Sequence, residues 1–272
     1  MANPAACIQI VHAVVIVAMR LVNRLCGIAA LLAIFIGATA SAHADPMALW
    51  HIVHDQCVPN QIDRHNPSPC TLVDLAGGYV VLKDQRGATQ FLVLPTARIT
   101  GIESAALLSP RVPDYMQDAW DARRFVQERT PAPLTRNDIA LAVNSSFGRS
   151  QNQLHIHVDC LRQDVRDALT RHRNAIGDKW QPFPVALAGN HYIARRLILR
   201  DLEYVNPFRT LADEVPEARA NMGAYTLVVA GATFGGKPGF VVLADRADPA
   251  RGDLAHGEDL QDHSCAVAHA TK

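Results

Sequence analysis

The sequence has no excess of either charge sign. Its 272 residues include 26 Lys and Arg and 26 Asp and Glu, so the formal net charge is zero. Sequence-independent binding of nucleic acids depends on clustered cationic side chains that neutralise phosphates. The balanced composition therefore argues against a broad nucleic-acid-binding surface, and we expect no nucleic-acid partner. It still leaves room for a local basic pocket that binds phosphate groups.

Several common catalytic motifs are also missing. The sequence contains no glycine-rich phosphate loop, no Ser-x-x-Lys motif and no Gly-x-Ser-x-Gly nucleophile elbow. These absences argue against P-loop nucleotide hydrolysis and against the serine hydrolases that use those motifs. There is no Cys-x-x-Cys pair either, which weakens the case for a zinc-binding module.

The N-terminal region has the features of a targeting segment. An uncharged apolar run at Cys26–Ala40 follows two arginines and precedes a small-x-small sequence at residues 42–44. Signal peptidase cleaves after such a pattern, although the apolar length is also borderline for a membrane span. We therefore expect residues 1–44 to be a signal peptide or an N-terminal membrane anchor. In both cases residues 45–272 would form a catalytic domain outside the cytoplasm.

Four cysteines follow the targeting segment: Cys57, Cys70, Cys160 and Cys265. Disulfides form in exported proteins, and four cysteines allow three pairings among which the sequence does not choose. A disulfide bond between Cys57 and Cys70 would close the loop between them, which is rich in Pro and Asn. The alternative is a zinc site formed by these two cysteines and His65.

Strand-like and helix-like segments alternate irregularly after residue 44. Apolar runs rich in β-branched residues predict strands, and amphipathic runs predict helices. The expected strands are residues 78–83, 90–94, 139–143, 153–158, 192–199, 225–230 and 239–244. The expected helices are residues 48–57, 103–109, 114–128, 164–180 and 206–222. Because strict β-α-β order is missing, the sequence predicts an α+β fold with mainly antiparallel strands.

The segment "NSSFGRSQNQLHIHVDC", residues 144–160, concentrates the side chains that can carry chemistry. Successive residues of a strand point to opposite faces, so His155, His157 and Asp159 are expected on one face. The preceding loop supplies hydrogen-bonding and cationic side chains: Asn144, Arg149, Ser150, Gln151 and Asn152. Arginine and polar groups match phosphate oxygens, so this set favours a phosphate-bearing substrate.

The residues by themselves leave three interpretations of the histidine pair open. Both imidazoles can be structural residues with satisfied hydrogen bonds. They can also bind zinc, since His155 and His157 at i and i+2 of a strand are suitable ligands and Asp159 is a natural third one. Finally, an imidazole can act as a nucleophile.

The surroundings of these histidines resemble the histidine-triad (HIT) superfamily, whose signature is His-φ-His-φ-His-φ-φ, where φ is apolar. Asn144 lies eleven residues before His155, and Gln151 lies seven residues after Asn144, the spacing expected of HIT hydrolases. Tyr79–Ile99 resembles the HIT strand-turn-strand, with Arg98 in place of the usual histidine, and the third triad position is an aspartate. The resemblance implies a HIT-like antiparallel sheet flanked by helices, with a C-terminal extension.

A narrower resemblance extends over nearly all of residues 45–272. The segments "ALWHIVHDQC", "NPSPC", "YVVLKD", "QNQLHIH", "CLRQDVR", "ADEVPEAR" and "QDHSC" are similar to the bacterial CDP-diacylglycerol pyrophosphatase family. This resemblance implies hydrolysis of CDP-diacylglycerol to CMP and phosphatidate in phospholipid metabolism, without a metal or other cofactor. It also implies a membrane surface as partner and a location at the bacterial inner membrane, with the catalytic domain on the periplasmic side.

Roles for single residues follow from the resemblance to HIT enzymes. His157, at the middle triad position, would attack the α-phosphorus and carry a covalent nucleotidyl group, with His155 as its partner. Asn144, Gln151 and Asn152 would hold non-bridging phosphate oxygens.

Further substrate contacts are expected around these residues. Asp84, in the turn after the first strand, would bind the ribose, and Lys83 would contact a phosphate. Arg149 and Ser150 of the loop before the histidines would also bind the substrate.

The third triad position and two alternative functions remain open. Asp159 would position water or fix an imidazole tautomer, because phosphatidate is an anionic leaving group that needs little protonation. The alternatives are a zinc-dependent exported hydrolase, with His155, His157 and Asp159 as ligands, and a non-catalytic protein that binds nucleotides or lipids. His256 and His263 fall in a polar tail without useful spacing, and we expect no role for them.

Overall fold

The computed structural model describes residues 45–269. The expected signal peptide or anchor at residues 1–44 lies outside the described residues. Within the described part, no helix combines the length and the apolar character needed to cross a membrane.

The described strands form one nine-stranded sheet. In chain order they are β1 Leu72–Asp74, β2 Tyr79–Lys83, β3 Phe91–Pro95, β4 Ile139–Val143, β5 Ile156–Cys160, β6 Gln181–Pro182, β7 Ile193–Leu197, β8 Tyr225–Phe234 and β9 Lys237–Arg246. Their order across the sheet is β1-β2-β3-β5-β4-β8-β9-β7-β6, and all neighbouring pairs are antiparallel. The predicted α+β class with an antiparallel sheet is confirmed.

Helical segments pack against both faces of this sheet. Helix α1 spans residues 48–64 and is π-helical in its middle, at Ile52–Cys57. The other α-helices of the described chain are α2 Tyr115–Gln127, α3 Gln163–Arg171 and α4 Pro207–Glu214. Short 3-10 turns are found at Ala105–Leu108, Arg136–Asp138, Arg173–Ala175, Ala218–Ala220, Met222–Ala224, Pro249–Arg251, Gly257–Leu260 and Ala266–Ala268.

Three predicted helices are shorter than expected. The segment 103–109 contains only one 3-10 turn. Helix α3 ends at Arg171 and is followed by a separate 3-10 turn. Helix α4 ends at Glu214, because Pro216 disfavours the helical conformation of the residue before it, and Val215 is accordingly extended.

The last two predicted strands, residues 225–230 and 239–244, form a hairpin and are longer than expected. Strands β8 and β9 pair along their whole length and are joined by Gly235 and Gly236. Both glycines have positive φ angles, +56° and +78°, which a two-residue turn of this hairpin type requires. The strands therefore continue to the two glycines.

The core lies on both faces of the sheet and leaves β5 between two apolar clusters. Ile156 and Val158 of β5 point into the cluster that includes α2 and α4. On the opposite face, one cluster packs under α1 and another under α3. In the sheet, His157 lies opposite Leu92, which belongs to the cluster under α1, and opposite Ala142, which belongs to the cluster under α3. The polar face of β5 is therefore flanked by apolar side chains on each side.

Two disulfides link the four cysteines, Cys57 with Cys70 and Cys160 with Cys265. The first bond joins α1 to the segment that leads into β1. The alternative zinc site with His65 is wrong, because both of its sulfur atoms are in a disulfide.

Candidate active site

Two imidazoles, His155 and His157, line a cleft of about 520 Å³. Their ring centroids are 4.9 Å apart, and the ring planes are inclined by 70°. Both side chains are almost fully buried. The alternation of β5 explains this placement, since the residues between and after them pack into the core on the opposite face.

The hydrogen bond of His155 defines its tautomer. Its Nδ1 lies 2.7 Å from the backbone carbonyl oxygen of Gln153. A carbonyl can only accept, so Nδ1 donates a proton and Nε2 keeps its lone pair. Burial lowers the pKa of His155, although the hydrogen bond to Gln153 opposes this shift. Among the described residues, Nε2 of His155 has no hydrogen-bond partner.

Gln153 is itself held in place. Its side-chain amide donates to the carbonyl oxygens of Pro95 and Ala97, at 3.0 and 2.9 Å. These two residues lie at and after the end of β3. The carbonyl that fixes the His155 tautomer is therefore part of a segment tied to the neighbouring strand.

Both ring nitrogens of His157 lie near an amide nitrogen, but the neutral ring can accept a hydrogen bond at only one of them. Nδ1 lies 2.9 Å from Nε2 of Gln90, and Nε2 lies 3.4 Å from Nδ2 of Asn144. Both amides also donate to Glu258, at 2.9 and 3.3 Å. Burial, together with the nearby His155, lowers the pKa of His157 to about 3, so the ring is neutral at physiological pH.

A third histidine, His263, lies next to these amides and between two carboxylates. Nε2 of His263 is 3.3 Å from Oε1 of Glu258, and Nδ1 of His263 is 2.8 Å from Oδ2 of Asp159. Hydrogen bonds to Asp159 and Glu258 raise the pKa of His263 to about 10, so this ring is an imidazolium. The other oxygen of Asp159 accepts from Thr89 Oγ1 at 2.7 Å and from the backbone N–H of Cys160 at 2.8 Å.

Glu258 is the buried carboxylate on which these contacts converge. Burial by itself raises the pKa of Glu258, but the hydrogen bond from His263, the proximity of His157 and the hydrogen bond from Gln90 lower it overall. Its backbone N–H donates to Oδ1 of Asn144 at 3.1 Å. Glu258 is therefore ionised, with fixed partners on both carboxylate oxygens.

The structure places His256 and His263 at the site, although the sequence offered no useful spacing for either. His256 lines the cleft, with Nε2 3.5 Å from Glu258. The C-terminal segment returns to β5, because the N–H of Asp262 donates to the carbonyl of Cys160 and a disulfide follows at Cys265. Sequence spacing could not reveal this return, since about a hundred residues lie between the two segments.

The loop before the histidines lies partly at the cleft. Ser150 and Gln151 line it. The side-chain amide of Gln151 donates to the carbonyl of Asp45 at 2.9 Å, and its oxygen accepts from the N–H of Leu49 at 3.0 Å. The backbone N–H of Asn152 donates to the nearby carbonyl of residue 46 at 2.6 Å. This loop therefore positions the start of α1.

Three of the predicted site residues do not line the cleft: Arg149, Asn152 and Asp159. Arg149 instead forms a two-pronged ion pair with Glu103, at 2.6 and 2.7 Å, and also contacts Asn152. The charge of Arg149 is therefore neutralised by Glu103 and is not directed at the cleft. Asp159 is fully buried and faces His263.

The β2–β3 turn supplies the charged side of the cleft. Lys83, Asp84 and Arg86 all line it. Nζ of Lys83 donates to the carbonyls of Asp84 and Gly87, at 2.7 and 3.0 Å, and burial lowers the pKa of Lys83. Asp84 Oδ1 accepts from the backbone N–H of Arg86 at 2.9 Å, which closes the turn.

The other side of the cleft is apolar. Helix α1 contributes Ala48, Leu49 and Ile52, and strands β2 and β3 contribute Leu82 and Leu92. The cleft thus joins an apolar surface to a floor that contains the two neutral imidazoles and to a rim with two cations.

The ligands of the alternative zinc site are not brought together. Asp159 is bonded to Thr89 and His263 instead of facing His155 and His157. Across residues 45–269, no three His, Cys, Asp or Glu side chains are grouped in a way that could hold a metal ion.

Comparison with known proteins identifies the family. The family model described as CDP-diacylglycerol pyrophosphatase matches residues 44–269. The chain belongs to this family. A CDP-diacylglycerol pyrophosphatase from Yersinia pestis is 43% identical over 220 residues, which cover 81% of the chain and 84% of the relative. The predicted family membership and the prediction of an enzyme are confirmed.

One solved structure is also similar, a DUF4931 family protein from Bacillus cereus. It is 9% identical, with a TM-score of 0.39, and the match covers 74% of the chain and 100% of that protein.

Proposed function

We propose that the protein hydrolyses the pyrophosphate bond of CDP-diacylglycerol to CMP and phosphatidate, with the CMP group held on a histidine between two chemical steps. The observation that carries this proposal is the free Nε2 of His155. The hydrogen bond to Gln153 fixes the proton on Nδ1, so the lone pair of Nε2 is available for attack on phosphorus.

The first step forms a bond between Nε2 and the α-phosphorus of the nucleotide. The bond from that phosphorus to the bridging oxygen breaks, and phosphatidate leaves with the electron pair. The ring becomes an imidazolium, and the Gln153 carbonyl that accepts from Nδ1–H stabilises its charge. Phosphatidate is an anion with little need for protonation, so a neutral His157 beside it is compatible with departure.

The second step returns the enzyme to its starting state. Water attacks the phosphorus, the P–N bond breaks and CMP leaves. One proton is released to solvent, and His155 becomes neutral again with its proton on Nδ1.

This assignment differs from the one suggested by the sequence, in which His157 is the nucleophile. Gln90 donates to Nδ1 of His157 at 2.9 Å, so the neutral ring carries its proton on Nε2, whereas Nε2 of His155 keeps its lone pair and has no partner among the described residues. The hydrogen bonds therefore favour attack by His155. His157 then orients the phosphate from the adjacent position, and the hydrogen bond from Gln90 fixes its ring.

The two sides of the cleft fit the two parts of such a substrate. Lys83 and Arg86 provide positive charge for the pyrophosphate, and Asp84 lies in the same turn as the expected ribose contact. The apolar side formed by Leu49 and Ile52 is suited to the lipid part.

We further propose that this reaction belongs to phospholipid metabolism and takes place at a membrane surface, on the periplasmic side of a bacterial inner membrane. The support is the apolar run at Cys26–Ala40, which precedes the described domain closely. In addition, Gln151 lines the cleft and binds the carbonyl of Asp45, where the described chain begins.

The test uses the purified full chain, CDP-diacylglycerol in detergent micelles and excess EDTA, with CMP release followed by chromatography. We expect activity in EDTA, a loss of at least about 10³-fold in His155→Ala, and no change in His191→Gln, an exposed control. Loss of activity in EDTA would support the zinc alternative. Tight substrate binding without CMP release would support a binding protein, and a fully active His155→Ala would exclude this nucleophile.

A further inference from the structure

A half-buried imidazole, His263, lies behind the cleft without lining it. We propose that His263 is a positioning residue of the active site: held between Asp159 and Glu258, it keeps the Glu258 carboxylate directed at the amides of Gln90 and Asn144, which contact His157. This inference rests on the proposed function, because it concerns the same site and the same reaction.

The first link is the contact of His263 with β5. Its Nδ1 lies 2.8 Å from Asp159, whose side chain is fully buried. Thr89 Oγ1 donates to the other oxygen of the same carboxylate at 2.7 Å and also to the backbone carbonyl of His263 at 3.1 Å. Asp159 therefore has a fixed orientation that leaves one oxygen for the His263 ring.

The second link runs from His263 to the cleft. Its Nε2 lies 3.3 Å from Oε1 of Glu258, and the same oxygen accepts from Gln90 Nε2 at 2.9 Å. Gln90 Nε2 is in turn 2.9 Å from Nδ1 of His157. On the other side, Asn144 Nδ2 donates to Oε2 of Glu258 at 3.3 Å and lies in contact with Nε2 of His157 at 3.4 Å. Glu258 thus determines where both amide groups point.

A positive charge is needed at this place because Glu258 is buried. An ionised carboxylate without a compensating charge is strongly destabilised in a protein interior. If His263 loses its charge, Glu258 either takes up a proton, which turns one of its two acceptor oxygens into a donor, or turns away, and in each case at least one amide loses its acceptor. His157 then loses its fixed orientation next to His155.

The backbone around His263 is restrained as well. The N–H of Ala88 donates to the carbonyl of His263 at 2.9 Å, and the disulfide of Cys265 with Cys160 lies two residues further on. The segment that carries the ring is therefore linked to β5 by this disulfide and to the β2–β3 turn by this hydrogen bond.

Several titratable groups surround the imidazolium and determine its ionisation. They are His157 and Asp159 on β5, His256 and Glu258 in the C-terminal segment, Asp262 beside it in sequence, and Lys83 near Asp159. Arg162, Asp164 and Asp167 share a shallow surface depression with His263. Among the titratable groups of residues 45–269, Asp159 and Glu258 are the ones bonded directly to the ring, so they dominate its charge.

The first experiment compares His263→Gln with His191→Gln, an exposed matched control. Glutamine keeps a hydrogen-bond donor but removes the charge. We expect kcat to fall by about 10- to 100-fold in His263→Gln, because the reacting group is displaced. We expect KM for CDP-diacylglycerol to change by less than about twofold, because the ring does not line the cleft. An unchanged kcat, or a change confined to KM, would overturn the proposal.

The second experiment measures the pH dependence of kcat in the wild type and in Asp159→Asn. Asp159 is the largest cause of the raised pKa of His263, so the isosteric amide lowers that pKa. The loss of activity at alkaline pH should therefore begin at a lower pH in Asp159→Asn, while the profile of His191→Gln should match the wild type. Identical alkaline limits in wild type and Asp159→Asn would contradict the positioning role.

A third measurement reads the charge of the ring in the wild type and needs a variant only to assign the signal. The ¹⁵N shifts of the wild-type histidines, with His263 identified from its absence in His263→Gln, report the charge of this ring directly. We expect an imidazolium at pH 8, and a neutral ring would overturn the proposal. A wild type with protonated His263 but no CMP release would refute the proposed function instead, so the two failures are distinguishable.

Discussion

His263 Nδ1 lies 2.8 Å from Oδ2 of Asp159, although 104 residues separate the two in the sequence. The contact joins the C-terminal segment to the strand that carries His157. Asp159 is therefore hydrogen-bonded to an imidazole that sequence spacing did not connect with it. The sequence led us to expect that Asp159 positions water or fixes an imidazole tautomer, and the imidazole that it contacts is His263.

The β2–β3 turn packs closely against His263 at Gly87, and a substitution there tests whether this packing matters for activity. A Cβ atom at Gly87 would lie 2.3 Å from Cβ of His263 and 2.8 Å from its carbonyl oxygen, so the turn or the histidine has to move. We expect Gly87→Ala to lower kcat by about tenfold or more, since small displacements of a reacting group are costly.

The matched control for this variant is Gly235→Ala in the β8–β9 turn. Gly235 has a similar positive φ angle, +56° against +64°, but a Cβ there meets no atom within 4 Å. Both variants carry the same backbone strain, and only Gly87→Ala adds the clash. Equal activity of the two variants would show that the His263 segment tolerates displacement.

The two disulfides should differ in their effect on stability. The Cys160–Cys265 bond closes a loop with a sequence separation of 105, whereas Cys57–Cys70 has a separation of 13. On the loop-entropy relation, replacing both cysteines by serine should cost about 4–5 kcal/mol for the long loop and about 3 kcal/mol for the short one. Denaturant unfolding of the two double variants measures both free energies. The reverse order would contradict this expectation.

Asp118 on α2 should make stability depend on pH. Burial, reinforced by Asp114, raises the pKa of Asp118 to about 7. The folded state then binds more protons than the unfolded state, so stability falls as pH rises from about 4 to about 7 and is constant above. Asp118→Asn should raise Tm at pH 8 and leave it almost unchanged at pH 4. Exposed Asp63→Asn is the control, and an equal Tm gain at both pH values would refute the shift.

The apolar side of the cleft should determine affinity for the lipid substrate. Ile52 lines this side from the π-helical part of α1. We expect Ile52→Arg to raise KM for CDP-diacylglycerol by about tenfold or more, because an apolar contact with the lipid part is lost. Exposed Ile62→Arg on the same helix is the control. The same KM in both variants would place the lipid part elsewhere.

The strands around the site could be predicted from the sequence because their residues pack on both faces. The β-branched runs now seen as β2, β3 and β4 were expected within one or two residues of their observed ends. The alternation along β5 correctly separates His157 from Ile156 and Val158, since a strand has a period of two. Pro216 also explains the end of α4 at Glu214, a signal that is present in the sequence although the expected helix extended to residue 222.

The charged part of the site could not be predicted in the same way. Glu258 and His263 reach β5 only through tertiary contacts of a segment without a regular element longer than a short 3-10 turn. Similarly, nothing in the local sequence indicates that Glu103 takes up the charge of Arg149. Contacts between residues far apart in the chain depend on how the whole sheet folds, so a local sequence pattern does not reveal them.

The most direct test of the nucleophile is the site of the covalent intermediate. CDP-diacylglycerol is mixed with the full chain in EDTA, the reaction is stopped under alkaline conditions that preserve a phosphorus–nitrogen bond, and the peptides are analysed by mass spectrometry. We predict that the CMP group is found on His155, and that it is present in His157→Ala but absent in His155→Ala. A CMP group on His157, or CMP release from active enzyme without any adduct, would contradict the account.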